Sequence, residues 1–223
     1  MTVLIVVIMF AVFILIDHYL RKAKQPAAEN SALVVERSTT QLPAPLVAGF
    51  NVPDNLRYHP GHAWALSESP TLVRIGMDDF ASKLAGKIER ITLPQRGQWI
   101  RQGQKVWTLF RDGRSVDMYS PIEGEVTNVN DAALHNPEAA RKDPYGNGWL
   151  VMVHSPEATT NLRNLLSGAL ARAWTDHCAA RLRSLRPVTV GALAQDGGIA
   201  VDDATSHLPD QEWAALAKEF FLS

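Results

Sequence analysis

The sequence predicts a mainly β fold, an antiparallel sandwich or flattened barrel. Three observations carry that expectation. Five short runs rich in Val, Ile, Leu or aromatic residues crowd into residues 72–154, several of them alternating. Turn-forming stretches separate them: "SESP", "PQRGQ", "RDGR" and "SPIEG". One segment among them reads as a short helix.

Taken in order, the strands are "LVRIGM" (72–77), "KIERITL" (87–93), "KVWTLF" (105–110), "GEVTNVN" (124–130) and "WLVMVH" (149–154). The helix is "DDFASKLAG" (78–86), with Asp78 placed to cap its first turn and Gly86 just past its end. Asp112-Gly113 is a strong signal for a two-residue hairpin turn, whose central positions need φ > 0.

The chain opens on "MTVLIVVIMFAVFILIDHYL", with no charged side chain before Asp17. A helix over twenty residues would be roughly 30 Å long, about one hydrocarbon core. No Lys or Arg precedes the run, while Arg21, Lys22 and Lys24 follow it. The positive-inside rule then keeps the body in the cytoplasm, as a single-pass protein of the cell (inner) membrane. A cleaved export signal, the competing reading, wants the opposite flank. The sequence divides into an anchor with its basic flank (1–24), a mixed, Pro-bearing tether (25–54), a β domain (55–155) and a C-terminal extension (156–223).

In the extension, residues 157–186 read as one helix. Its apolar stripe is Leu162, Leu165, Leu166, Ala169, Leu170, Ala173, Trp174 and His177. "VTVGAL" and "GIAV" around "AQDGG" form a possible hairpin. "PDQEWAALAKEFFLS" closes as a short helix with Trp213, Leu216, Ala217 and Phe220 on one side.

With 46% hydrophobic and 20% charged residues the chain is globular, and a net charge of −1 gives no reason to expect nucleic acid. Cys178 is the only cysteine, so no intramolecular disulfide forms. His59 and His62 make an H-x-x-H pair, but in a Pro- and Gly-bearing turn with no Cys or carboxylate cluster, so no metal site is expected. Ser120 lacks nucleophile-elbow surroundings and "DPYGNGW" lacks the context of a phosphate loop. No acid–base pair emerges, and the chain is not expected to be an enzyme.

"YHPGHAW" (58–64), residues 75–104, "YSPIEGEVTNVN" (119–130) and "NPEAARKDPYGNGWLVMV" (136–153) follow one another in an order and spacing that resembles the H protein of the glycine cleavage system. That family is a lipoyl carrier that shuttles an aminomethyl group. The resemblance implies a barrel-sandwich hybrid of two small sheets, and a structural role for His62 and Trp64. It also implies a lipoyl-lysine at the tip of one hairpin. Counting back from the shared "YSP", that position is Gly113, within Arg111, Asp112, Gly113 and Arg114. Phe110 stands where the family usually has a glutamate. A one-residue slip puts Arg114 there, and its guanidinium, with a pKa above about 12, is a poor acyl acceptor. No lysine lies between Val106 and Pro121.

Lipoate is therefore expected to be absent. The expected role is a membrane-anchored, H-like interaction or scaffold module. Its protein partner would be an enzyme that recognises H-like surfaces, contacted through Arg111, Asp112, Gly113 and Arg114. One alternative is a glycine cleavage carrier lipoylated elsewhere, as at Lys105. A second is an envelope adaptor of the membrane-fusion type.

Overall fold

The computed structural model describes residues 45–185 and 209–222. The expected anchor, most of the tether and the possible hairpin after Pro187 lie outside the described residues. Everything described belongs to one unit, Pro43–Ser223. Among the described residues, no helix is long and apolar enough to cross a membrane.

The architecture is mainly β, as expected. Strands β3 (Arg57–Tyr58), β4 (Ala63–Ser67), β5 (Leu72–Met77), β7 (Trp99–Ile100), β10 (Gly124–Val129) and β11 (Val151–His154) form a six-stranded sheet in the order β3-β4-β5-β11-β10-β7. Strands β6 (Arg90–Thr92), β8 (Lys105–Arg111) and β9 (Arg114–Tyr119) form a second sheet, order β6-β8-β9. A small pair, β1 (Leu46–Val47) and β2 (Phe50–Asn51), precedes them. Every pairing is antiparallel.

Period-two patterning explains the sheets. Val73, Ile75 and Met77 of β5 point inward and meet Val151 and Val153 of β11, in the register Val151↔Ile75 and Val153↔Val73. On β9, Val116 and Met118 are buried while Ser115 is exposed. One strand carries a steric constraint besides. Gly76 of β5 lies opposite Trp64 of β4, and a Cβ there would sit 2.7 Å from the indole ring. The glycine thus makes room for a fully buried tryptophan, whose Nε1 donates to the Pro144 carbonyl at 3.0 Å.

Helix α1 (Asp79–Ala85) follows the expected caps: Asp78 accepts from the Ala81 amide at 2.7 Å, and Gly86 ends the helix at φ 67°. All seven of its residues are buried. Two short helices, α2 (Asp131–His135) and α3 (Pro137–Lys142), precede the "DPYGNGW" turn. There the Asp143 carboxylate accepts from the Gly146 and Asn147 amides.

The expected helix over 157–186 is two helices, α4 (Ala158–Arg163) and α5 (Gly168–Leu185). Leu166 leaves the helical ladder because both its backbone groups pair with Tyr58, at 2.9 and 2.8 Å. This break changes the phase of the stripe. The buried face of α5 is Ala171, Thr175, Cys178, Ala179 and Leu182, while Leu170, expected inside, is 62% exposed. Ala169, Ala173 and His177 are exposed as well. The last helix, α6 (Asp210–Phe221), buries Trp213, Leu216, Ala217, Phe220 and Phe221 in the main core. Pro209 stands just before its first residue.

Candidate functional site

The hairpin β8–β9 carries the position where the sequence looks for an attachment lysine. Its turn is two residues long, with Arg111 paired to Arg114. Asp112 and Gly113 have φ of 48° and 74°. Positive φ at both central positions matches the right-handed twist of the flanking strands, and Asp-Gly reaches it at low cost. Gly113 is exposed, and a Cβ there would meet nothing within 4 Å.

The four candidate contact residues do not act alike. Arg111 is only 9% exposed. Its Nη1 donates to the Ala85 carbonyl at 2.9 Å and its Nε to Asp112 at 3.1 Å. A cation at the last carbonyls of α1 also suits the helix dipole. Arg111 is therefore a fastener between hairpin and helix, which leaves Asp112, Gly113 and Arg114 as the outward part of the tip. Arg114 Nε in turn donates to Asp210 of α6 at 2.8 Å. Phe110 packs against the Arg90 guanidinium on β6, 3.6 Å from the ring centroid.

The lysines near the hairpin are placed as follows. Lys83 is buried, and its Nζ donates to Asp79 at 2.8 Å and to the Gly49 carbonyl at 3.0 Å. Burial pushes the Asp79 carboxyl up, against the opposing pull of Lys83. Lys105 stands at the foot of β8, ion-paired with Asp117 across the hairpin. The hydrogen bond that Lys105 donates to Asp117 raises the lysine's pKa and favours the ammonium. Lys87 is exposed, two residues before Glu89, whose amide donates to the Phe110 carbonyl at 2.9 Å.

A second cluster surrounds His62. His62 is fully buried, with φ 61°. Its Nδ1 is 2.8 Å from Asp78, the carboxylate that caps α1. The ring stacks on Phe80 at 4.3 Å and faces Trp174 at 4.6 Å. His59 points elsewhere: its Nδ1 accepts from the Gly61 amide at 3.0 Å, and burial lowers its pKa. The H-x-x-H pair is thus not a chelating face, and no group of three or more His, Cys, Asp or Glu able to hold a metal occurs among the described residues. Trp64 and His62 are core residues.

The remaining polar residues singled out in the sequence make structural contacts. Ser120 Oγ donates to the Ile122 carbonyl at 2.6 Å. Tyr145, in "DPYGNGW", donates to the Asn51 carbonyl at 2.7 Å and accepts from the Asp79 amide at 3.0 Å. It thereby ties the turn to β2 and α1. Cys178 is buried on α5, where desolvation and the charges of Asp78 and Glu219 push its thiol up to about 12. Such a thiol is inert at neutral pH.

Sequence reasoning missed the contact between α6 and the hairpin. The Tyr119 hydroxyl donates to the Leu222 carbonyl at 2.7 Å, and Arg181 of α5 donates to Glu219 at 2.7 Å. The only local signal was the acidic first turn of α6, which does not name a partner.

A family model described as glycine cleavage H-protein matches residues 56–177. The glycine cleavage system H protein of Prochlorococcus marinus (strain NATL2A) is 33% identical over 117 residues, 52% of this chain and 90% of the relative. The probable glycine cleavage system H protein 2 of Sulfurisphaera tokodaii is 32% identical over 130 residues, 56% of this chain and 86% of the relative. A crystal structure of a glycine cleavage system H protein from Mycobacterium marinum has a TM-score of 0.44 and 27% identity, covering 47% of this chain and 87% of that one. The family match runs from just before β3 well into α5, through both larger sheets, the β8–β9 hairpin included. On that match, the chain belongs to the glycine cleavage H-protein family.

Proposed function

We propose that this chain is a membrane-anchored member of the H-protein family that carries no lipoate and works through protein contacts. It is a non-catalytic module that holds a partner enzyme at the membrane. The observation that carries this reading is the hairpin tip. Its two-residue Asp112-Gly113 turn is well formed, and no lysine lies between Val106 and Pro121. An amide to lipoate needs a primary amine, and neither glycine nor a permanently charged guanidinium supplies one.

Two contacts further support it. Lys105, the alternative attachment point, is at the foot of the hairpin and engaged by Asp117. At the tip, Asp112 pairs with Arg111 and Arg114 with Asp210, and these ion pairs give the tip a charged, polar character suited to a polar protein surface. The anchor reading rests on the apolar run before Asp17 and the basic residues after it.

Incubation with a lipoate–protein ligase and labelled lipoate tests the proposal. The unmodified sequence should take up no label, and Gly113→Lys should gain it. Space is open at that position, and the cost is confined to the positive φ, about 1–2 kcal/mol. Uptake by the unmodified sequence would overturn the reading. A reporter fused after Ser223 tests the membrane side. Cytoplasmic activity agrees with the proposal, and activity outside the cytoplasm would favour an envelope adaptor.

A further inference from the structure

Helix α6 lies along β9 from end to end. Asp210, in its first turn, meets Arg114 at the tip end of β9, and Leu222, just past its last residue, meets Tyr119 at the other end. The lengths agree: 12 helical residues span about 18 Å and 6 strand residues about 20 Å. Within the three-stranded sheet β9 is an outer strand. The helix therefore covers a sheet edge that would otherwise be open to pairing.

Besides the apolar face that α6 buries in the main core, polar contacts fasten the helix along its length. Its fasteners are at the surface: Asp210 is 87% exposed in the pair with Arg114, and Glu219 and Arg181 are both substantially exposed. Such pairs hold weakly. Beneath the helix, two buried polar atoms have no hydrogen-bond partner among the described residues. One is the Trp213 Nε1 on α6 itself. The other is the His62 Nε2, on a ring 6.4 Å from Phe220 and 6.3 Å from Phe221. Burial without a partner is unfavourable for both, and release into water would relieve it. Against this stands the apolar face of Trp213, Leu216, Ala217, Phe220 and Phe221.

We infer that the seat along β9 is a binding site for an amphipathic helix with a carboxylate in its first turn. Residues 210–221 fill that seat in cis, as a displaceable strap over the hairpin. A partner gains the hairpin edge and the His62 face by presenting a helix of the same pattern. An i, i+3, i+4, i+7, i+8 apolar stripe is the recognition element. The acidic end is read by Arg114 and the later carboxylate by Arg181. This rests on the reading of the hairpin as a protein-facing surface.

The test uses the full chain and a labelled peptide with the sequence of residues 209–223. An occupied seat lowers apparent affinity by the fraction of molecules in which the strap is open. Asp210→Lys with Glu219→Lys turns both fasteners into repulsions without touching the buried face. This variant should bind the added peptide at least about fivefold more tightly than the unmodified chain. Adding Arg114→Glu and Arg181→Glu restores attraction in cis and repels the peptide, so binding should fall back to the starting level or below. Amide exchange supplies a second readout: α6 should exchange faster in the double variant while β5 stays protected. Equal peptide binding by the double variant and the unmodified chain overturns the inference. So does exchange in α6 that remains as slow as in β5. Because the assay reads only the seat, lipoate found on the chain would end the non-carrier reading and leave these results standing.

Discussion

The Arg111 guanidinium donates to the carbonyl of Ala85, the last residue of α1, at 2.9 Å. This bond couples the tip of the hairpin to a helix whose residues are all buried. A charged donor on a buried carbonyl contributes about 1.5–3 kcal/mol. Arg111→Ala should therefore lower unfolding stability by about that amount. Arg114→Ala, which loses a surface pair, should cost within about 1 kcal/mol. Urea denaturation of the two variants checks the contrast, and equal losses would contradict the assignment of Arg111 as the fastener.

The close approach of Gly76 to Trp64 makes a second case. A methyl at position 76 would lie 2.7 Å from ring carbons in a fully buried site. Overpacking of this kind costs about 1–3 kcal/mol. Gly76→Ala should lower the thermal midpoint and shift the tryptophan near-UV signal as the indole moves off the Pro144 carbonyl. An unchanged midpoint would show that the β4–β5 pair yields more easily than its contacts imply.

Lys105 and Asp117 face each other across the hairpin, and the pair has a definite pH signature. The hydrogen bond that Lys105 donates to Asp117 raises the pKa of Lys105. Its contribution to stability is fully present below the unfolded lysine value, about 10.4, and is lost as pH rises through the higher folded value. Asp117 feels burial that raises its pKa, but the bonds from Lys105 and Thr108 outweigh it and the net shift is downward. Its share is present above the unfolded carboxylate value, about 3.9, and is lost as pH falls through the folded one. Acylation of Lys105 by an amine-reactive reagent should therefore be slower than that of exposed Lys87. Asp117→Asn should remove most of the difference. Peptide mapping after timed labelling reads both rates, and faster acylation at Lys105 in the unmodified protein would contradict the pairing.

Features set by near neighbours were legible in the sequence. Strand β5 and the caps of α1 coincide with their expected residues because alternation and capping act within a few positions. The Asp112-Gly113 turn was legible for the same reason. Strands β1, β2, β3 and β7 are two residues each, too short to show a period. Strand β4, "AWALS", has no β-branched residue and is held by its register with the neighbouring β5.

The stripe expected along 157–186 failed at Leu166, whose backbone bonds go to Tyr58, more than a hundred residues earlier. The candidate site divides in the same way. The absent lysine is a local fact, read directly from "RDGRS". The inward role of Arg111 and the pairing of Arg114 with α6 are contacts between distant segments, for which no local pattern exists.

The central claim is that no swinging arm is attached to this chain. The intact mass of the full-length protein purified from its native host tests it most directly. The account predicts the mass of the translated sequence, with no lysine peptide bearing an added acyl group. A species heavier by one lipoyl group, mapped to Lys105, Lys87 or any other lysine, would contradict it.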